Sequence, residues 1–340
     1  MLTYYSKKKL RYMFIAFGAL LFHLFGGFSH LFSKDFDDDF DYPYEGNVKF
    51  LVDQMVNGAQ FDPINTYYFK YKTNCSHLCN GPVKLLFIIK SAPENYAQRD
   101  VIRKTWGSGN NVNEKIRAVF LVGERTSETE SLLKESIRYN DLVQGNFSDT
   151  YFNNTIKTMM GFKWACEFCF KHTEYFMFVD DDYYVSPKNV LKFVENPFIY
   201  PGRDVRVEKY SFTDFGTDKF ELYAGYVFHS SPFRSYFSKW SVSLQEYPYN
   251  KWPPYVTAGS YVLSRLSLMR MYYASLFTQH FRFDDIYVGI LAYKLEIEPI
   301  HNQNFHFDKK PYNHDYHQTI ASHGYNDPEE LWRVWNEENP

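Results

Sequence analysis

Tyr175-Phe176-Met177-Phe178-Val179-Asp180-Asp181-Asp182 is the stretch on which the reading of this chain turns. Five apolar, mostly aromatic residues make a run of buried-strand length, and three adjacent carboxylates end it abruptly. Such carboxylates repel one another, and some hold a proton unless a cation neutralises them. Hard oxygen donors of this type suit Mg²⁺ or Mn²⁺, which usually bridge to substrate phosphates. The triplet alone also reads as a solvated turn before a helix starting at Ser186-Pro187.

Upstream of the triplet, strand-like and helix-like segments alternate. Lys84 to Lys90 is an apolar run, Tyr96 to Trp106 is helical, Ala118 to Gly123 is apolar again, and Glu128 to Tyr139 is helical. Ile156, Met159, Met160 and Trp164 then recur at helical spacing. This is βαβα order, an α/β fold in which ligands collect at the carboxyl ends of the strands, where the acidic triplet sits. The helix from Asn95 to Trp106 sets Arg99 and Arg103 four apart on one face, ready to meet a diphosphate, with an exposed basic face as the plainer reading. Downstream, Trp252-Pro253-Pro254-Tyr255 is a stiff aromatic turn that suits stacking on sugar rings or simply turning a corner. Asp284-Asp285 opens a helical stretch from Ile286 to Leu295, and the pair either caps that helix or supplies a general base.

Length and composition bound the classes. The 340 residues are 45% hydrophobic and 23% charged, which excludes a disordered or collagen-like chain. A net charge of −3 supplies no basic field for nucleic acid. Aromatic residues make up 20% of the chain, a large supply of flat surfaces for packing and for sugars. Four cysteines, Cys75, Cys79, Cys166 and Cys169, allow three pairings; one or two disulfides are expected, and a zinc site is the formal alternative.

Between Arg11 and Lys34 no residue carries a formal charge. The stretch from Tyr12 to Phe32 is of membrane-spanning length, with His23 and Gly26-Gly27 as its weak points. Basic residues precede it and aspartates follow, which implies a cytosolic amino terminus and a lumenal body. The expected organisation is a cytosolic tail over 1–11, an uncleaved signal anchor over 12–32, a stem and irregular lead-in over 33–82, and a catalytic domain over 83–340. Sequons at Asn74, Asn146 and Asn153 agree with a glycosylating compartment.

Six groups of residues, in order, resemble one family. They are Ile89-Lys90-Ser91, Arg99-x3-Arg103-Lys104-Thr105-Trp106-Gly107, Tyr151-Phe152-Asn153-Asn154-Thr155-Ile156-Lys157-Thr158, the Asp triplet, Pro254-Tyr255-x3-Gly259-x-Tyr261-Val262, and Asp284-Asp285-Ile286-Tyr287-Val288-Gly289. Their order is similar to that of the β-1,3-glycosyltransferases of the Golgi, which move galactose or N-acetylglucosamine. The resemblance covers about residues 83–340, and the stretch from Phe237-Ser238-Lys239-Trp240 to Tyr255-Val256-Thr257-Ala258-Gly259 looks closest to the brainiac type, which extends glycosphingolipids. At position 284 the family usually carries Glu in place of Asp.

The resemblance implies a GT-A fold with a mixed central sheet, a UDP-sugar donor, a glycan or glycolipid acceptor, and Mn²⁺ or Mg²⁺ as cofactor. It implies inverting transfer, with Asp285 as general base and Asp182 as metal ligand, joined by His323 in preference to His306. Ser91, Arg99, Arg103, Lys157, Asp180 and Asp181 are the implied donor contacts, and Trp252, Tyr255 and Asp284 the acceptor contacts. The expected activity is transfer of GlcNAc to a glycosphingolipid chain, with galactose or N-acetylgalactosamine as alternative donors. A phosphatase using Asp180 is a rival reading, although Tyr184 stands where such enzymes usually carry Thr or Val. A non-catalytic lumenal lectin is another.

Overall fold

The computed structural model describes residues 2–41, 46–108, 115–202 and 220–339. Met1 of the expected tail, residues 42–45 of the stem, and residues 109–114, 203–219 and 340 of the catalytic domain therefore lie outside the described residues. The chain divides into two compact units, one formed by Met1–Gly46 with His229–Pro253 and the other by Asn47–Phe228 with Pro254–Pro340.

The first unit holds helices α1 (Leu2–Leu24), α2 (Gly27–Leu31) and α3 (Phe36–Asp39). The expected continuous helix from Tyr12 to Phe32 is not formed. The chain leaves the helix after Leu24 and passes through Gly26 at φ 82°, a left-handed conformation that suits glycine and interrupts the i→i−4 ladder. Among the described residues no helix is long and apolar enough to cross a membrane. The stretch read as stem and lead-in also contains regular structure: Asp35 caps α3, and Asn47 caps α4 (Val48–Val56), the first helix of the second unit, by accepting from the amide of Phe50.

The second unit is built on strands β1 (Val83–Lys90), β2 (Ile116–Glu124), β3 (Leu142–Ser148) and β4 (Thr173–Asp180), connected by α5 (Tyr96–Lys104), α6 (Thr129–Tyr139) and α7 (Asn154–Trp164). There follow β5 (Tyr184–Val185), α8 (Pro187–Glu195), β6 (Tyr223–Phe228), β7 (Tyr255–Ser264), α9 (Arg265–Leu276), α10 (Asp284–Lys294), β8 (Ile300–His301), β9 (Phe305–His306), β10 (Ala321–Ser322) and α11 (Pro328–Glu338). The main sheet runs β3-β2-β1-β4-β7-β6-β8, and a small one runs β5-β10-β9. β1 pairs in parallel with β2 and β4, whereas β7 is antiparallel to both β4 and β6, so the sheet is mixed.

β1 is buried on both faces. Leu85, Phe87 and Ile89 pack with Val101, Ile102 and Trp106 of the α5 segment, Leu132 of α6, Phe193 of α8 and Leu331 of α11. On the opposite face α7 lies so close that a side chain at Gly161 would meet Leu121, Phe178 and Ile88. Each fully buried Leu, Ile or Phe contributes roughly 1.5–3 kcal/mol. The chain leaves β1 toward β2 and β3 on one side and returns through α7 to β4 on the other. The carboxyl ends of β1 and β4, where Lys90 and Asp180 are paired in register, therefore form a topological switch point.

A disulfide joins Cys79 to Cys169, while Cys75 and Cys166 are free thiols. The alternative of four thiolates on zinc is thereby excluded.

Candidate active site

Lys90, the last residue of β1, is the hub of the site. Its side chain is buried, and its Nζ lies 3.0 Å from Asp180 Oδ1 and 2.9 Å from Asp284 Oδ2. An ammonium so placed is costly unless paired, and the two carboxylates compensate it. One bond runs to the end of β4 and the other to the first turn of α10, so Lys90 joins the two acidic groups into one site. Thr158 of α7 also donates to Asp284 Oδ2, at 2.9 Å.

The adjacent carboxylates of α10 are driven apart. Burial raises the Asp284 carboxyl, but the charge and hydrogen bond of Lys90, with the bond from Thr158, hold it below its ordinary value. Burial, with the Asp284 charge beside it, pushes Asp285 up to about 7. Asp285 Oδ1 accepts from the Ile286 amide at 2.8 Å, which orients the carboxyl at the helix start. Gly289, one turn on, packs against the Cβ of Tyr255 with no room for a side chain. Tyr255 thus stands beside the helix that carries Asp285. A half-buried aromatic wall continues from it through Phe228 to Phe307 and Tyr226, with ring centroids 4.6–5.8 Å apart.

Asp182 and His323 are 141 residues apart in sequence, yet His323 Nε2 lies 3.0 Å from Asp182 Oδ2. The small sheet brings them together. β10 pairs with β5 immediately after Asp182, and the Tyr325 amide donates to the Asp182 carbonyl at 2.8 Å. Asp182 Oδ1 is a buried acceptor without a hydrogen-bond partner. An orphaned carboxylate oxygen beside an imidazole is a donor set that fits a divalent cation. Among the described residues no group of three or more His, Cys, Asp or Glu could hold a metal, so a closed all-protein cage is not built here.

The expected diphosphate cradle is not what the geometry builds. All five donors of Arg99 are spent internally, on Glu135 Oε1 and Oε2, Ser91 Oγ, and the carbonyls of Ala92 and Pro93. Arg103 binds Glu135 and Asp141 and packs over the Phe120 and Tyr139 rings. Lys157 Nζ donates to the Ser91 carbonyl and pairs with Asp149 Oδ1, each at 2.8 Å. Asp181 turns inward and accepts from Ser91 Oγ and Asn95 Nδ2, which buries the Ser91 side chain with it. Ser91, Arg99, Lys157 and Asp181 thus fix the loop leaving β1, while Arg103 is held through Glu135 and Asp141 with its buried Nη1 unpartnered. A helix face carrying two arginines was legible, but the acidic partners on α6 and just beyond it that pull the pair inward were not.

Of the aromatic turn, Trp252 belongs to the first unit and is buried against Tyr247, with ring centroids 4.1 Å apart, so its face is taken. Sequence reasoning missed Lys90 and Thr158 as site residues, and missed the wall of Tyr226, Phe228 and Phe307. Lys90 had one signal: a lysine ending the apolar run Leu85–Ile89 needs a buried counter-charge. Of the sequons, Asn74 and Asn146 are exposed, while Asn153 donates its Nδ2 to the Ser148 carbonyl at 2.8 Å.

The sequence pattern of the galactosyltransferase family matches residues 97–303. The chain is 39% identical over 338 residues to "Beta-1,3-galactosyltransferase brn" of Drosophila melanogaster, covering 98% of this chain and 97% of that one. It is 31% identical over 280 residues to "Beta-1,3-galactosyltransferase 1" of Homo sapiens, covering 81% and 80%. It is also 31% identical over 287 residues to "Lactosylceramide 1,3-N-acetyl-beta-D-glucosaminyltransferase B" of Xenopus laevis, covering 80% and 71%.

Proposed function

The chain belongs to the β-1,3-glycosyltransferase family, and from that premise we propose that it is an inverting, GT-A-type transferase moving GlcNAc from UDP-GlcNAc to a glycosphingolipid sugar chain. The observation that carries the reading is the join made by Lys90: one carboxylate group ends β4 beside an Asp–His pair, the other opens α10, and a single buried ammonium ties them at the switch point.

In this mechanism Asp285 takes the proton of the acceptor hydroxyl as that oxygen bonds to the anomeric carbon. The bond from that carbon to the UDP phosphate oxygen breaks on the opposite face, so configuration inverts and no covalent enzyme intermediate forms. A carboxyl at about 7 is matched to proton abstraction near neutral pH. Tyr255 and the aromatic wall behind it offer the acceptor sugar a stacking face. Ser91, Asp181, Arg99 and Lys157 act one layer back by holding the loop after β1, and Arg103 supports Arg99 through their shared partner Glu135. Asp182 and His323 would hold Mn²⁺ or Mg²⁺, which when bound supplies positive charge to the diphosphate leaving group.

A lumenal Golgi setting at the membrane is part of the proposal, supported by the Cys79–Cys169 disulfide and the exposed sequon side chains of Asn74 and Asn146. A galactosyl donor is the second reading, favoured by the name of the Drosophila relative.

The test is a panel of UDP-GlcNAc, UDP-Gal and UDP-GalNAc with lactosyl-, mannosyl- and galactosyl-terminated acceptors. Transfer from UDP-GlcNAc with a β-1,3 linkage supports the first reading, and transfer from UDP-Gal alone replaces it with the second. Phosphomonoester hydrolysis without sugar transfer would overturn both.

A further inference from the structure

The unit formed by residues 1–46 and 229–253 carries an apolar surface that the glycosyltransferase reading does not use. Tyr12, Met13, Phe14 and Ile15 are consecutive on α1, and each is 66–67% exposed. Successive helical residues point about 100° apart, so these four cover every side of the helix. A single protein groove covers one side of a helix, whereas lipid meets a helix that is apolar all round on every side.

The end of this helix is fastened to a second apolar segment. At Gly26 any Cβ would strike Arg234, whose buried guanidinium donates to the carbonyls of Val242, Tyr247 and Tyr249. The Tyr236 amide donates to the Leu24 carbonyl at 3.0 Å, His23 lies against Tyr236, and Phe25 against Phe237. The loop so held displays Phe233, Tyr236, Phe237 and Trp240, all exposed, and Lys239 Nζ sits 4.5 Å over the Trp240 ring. Trp, Tyr and Lys beside an apolar helix end are the composition found at the head-group level of a bilayer.

We propose that the loop Phe233–Trp240 is a lipid-interface anchor, seated in the head-group region of the phospholipid surface that also takes up the apolar part of α1. The proposal does not depend on the donor, the acceptor or the chemistry of the second unit. It also gives the break at Gly26 a purpose, since the turn is what pins the loop beside the helix end.

The experiment places the full chain in phosphatidylcholine vesicles with or without bromine on the acyl chains and follows tryptophan emission. The chain has six tryptophans, so the Trp240 signal is taken as the difference between the wild type and Trp240→Phe. Brominated lipid is expected to remove most of that difference signal, and Phe237→Ser to return its emission toward the red. If the chain is vesicle-bound while the Trp240 signal is unquenched by brominated lipid and fully quenched by aqueous acrylamide, the loop faces water and the proposal fails. If sedimentation of the vesicle-free chain shows a dimer that Phe237→Ser dissociates, the face belongs to a second copy and the proposal is likewise overturned.

Discussion

Asp285→Asn separates the chemistry of the site from its stability, because the carboxyl that serves the reaction is held in a form the fold disfavours. Asp285 is raised to about 7 from an ordinary 3.8 by burial and by the adjacent Asp284 charge. The native state therefore binds this proton more tightly than the unfolded chain does. The contribution to stability is fully present below about 3.8 and is lost as pH rises through about 7. The linkage over that window is at most about 4 kcal/mol. Because the side chain still reaches water, about 1–2 kcal/mol is the expected effect. Asparagine keeps the size and removes the charge, so at pH 8 the variant should melt a few degrees above the wild type. At pH 4 the two should coincide. Turnover should fall roughly 10²- to 10⁴-fold with UDP affinity kept. Thermal melts across pH 4–8, with calorimetry of UDP binding, measure both arms. Equal melting temperatures at pH 8, or UDP affinity lost along with turnover, would refute the assignment of Asp285 as a charged, non-nucleotide-binding base.

Asp284→Asn should move the acid limb of the pH–rate profile to lower pH, because the charge that raises Asp285 is gone; a shift to higher pH would contradict the coupling. Arg99→Ala leaves the buried Glu135 with Arg103 as its one remaining arginine partner and frees the loop at Ser91–Pro93, so denaturant unfolding should show a loss of roughly 1.5–3 kcal/mol, and a loss below about 1 would mean that the network is not a structural clamp. Cys79→Ser opens a loop closed across 90 residues and should cost roughly 2–5 kcal/mol by the same measurement. Asp182→Ala should abolish the Mn²⁺-dependent part of UDP binding, whereas undiminished affinity in the metal-stripped wild type would remove the cation from the site.

Local pattern was enough for the first half of the scaffold, β3 excepted. The apolar runs that became β1 and β4, the helical spacing of α5 and α7, and the acidic triplet at a strand end are properties of neighbouring residues, and β-strand and helix periods report them directly. The same logic placed Asp285 at a helix start, whereas His323, just before the helix opened by Asp327 and Pro328, was indicated by the family resemblance alone. Local pattern missed β3, whose Gly145 and Asn146 interrupt the apolar run.

Tertiary structure decided what each charge does. A sequence places Arg99 and Arg103 on one helix face, but Glu135 and Asp141, more than thirty residues on, turn that face into a buried clamp and not a phosphate cradle. Lys90 gains its role from partners at Asp180 and Asp284, and Asp182 meets His323 only because β10 docks on β5. The apolar segment from Tyr12 to Phe32 has the length of one continuous helix, yet Gly26 adopts φ 82° against Arg234, more than two hundred residues away. Hydrophobic period is a local quantity, whereas the pairing of a buried charge and the breaking of a helix depend on groups that folding alone brings within a few ångströms.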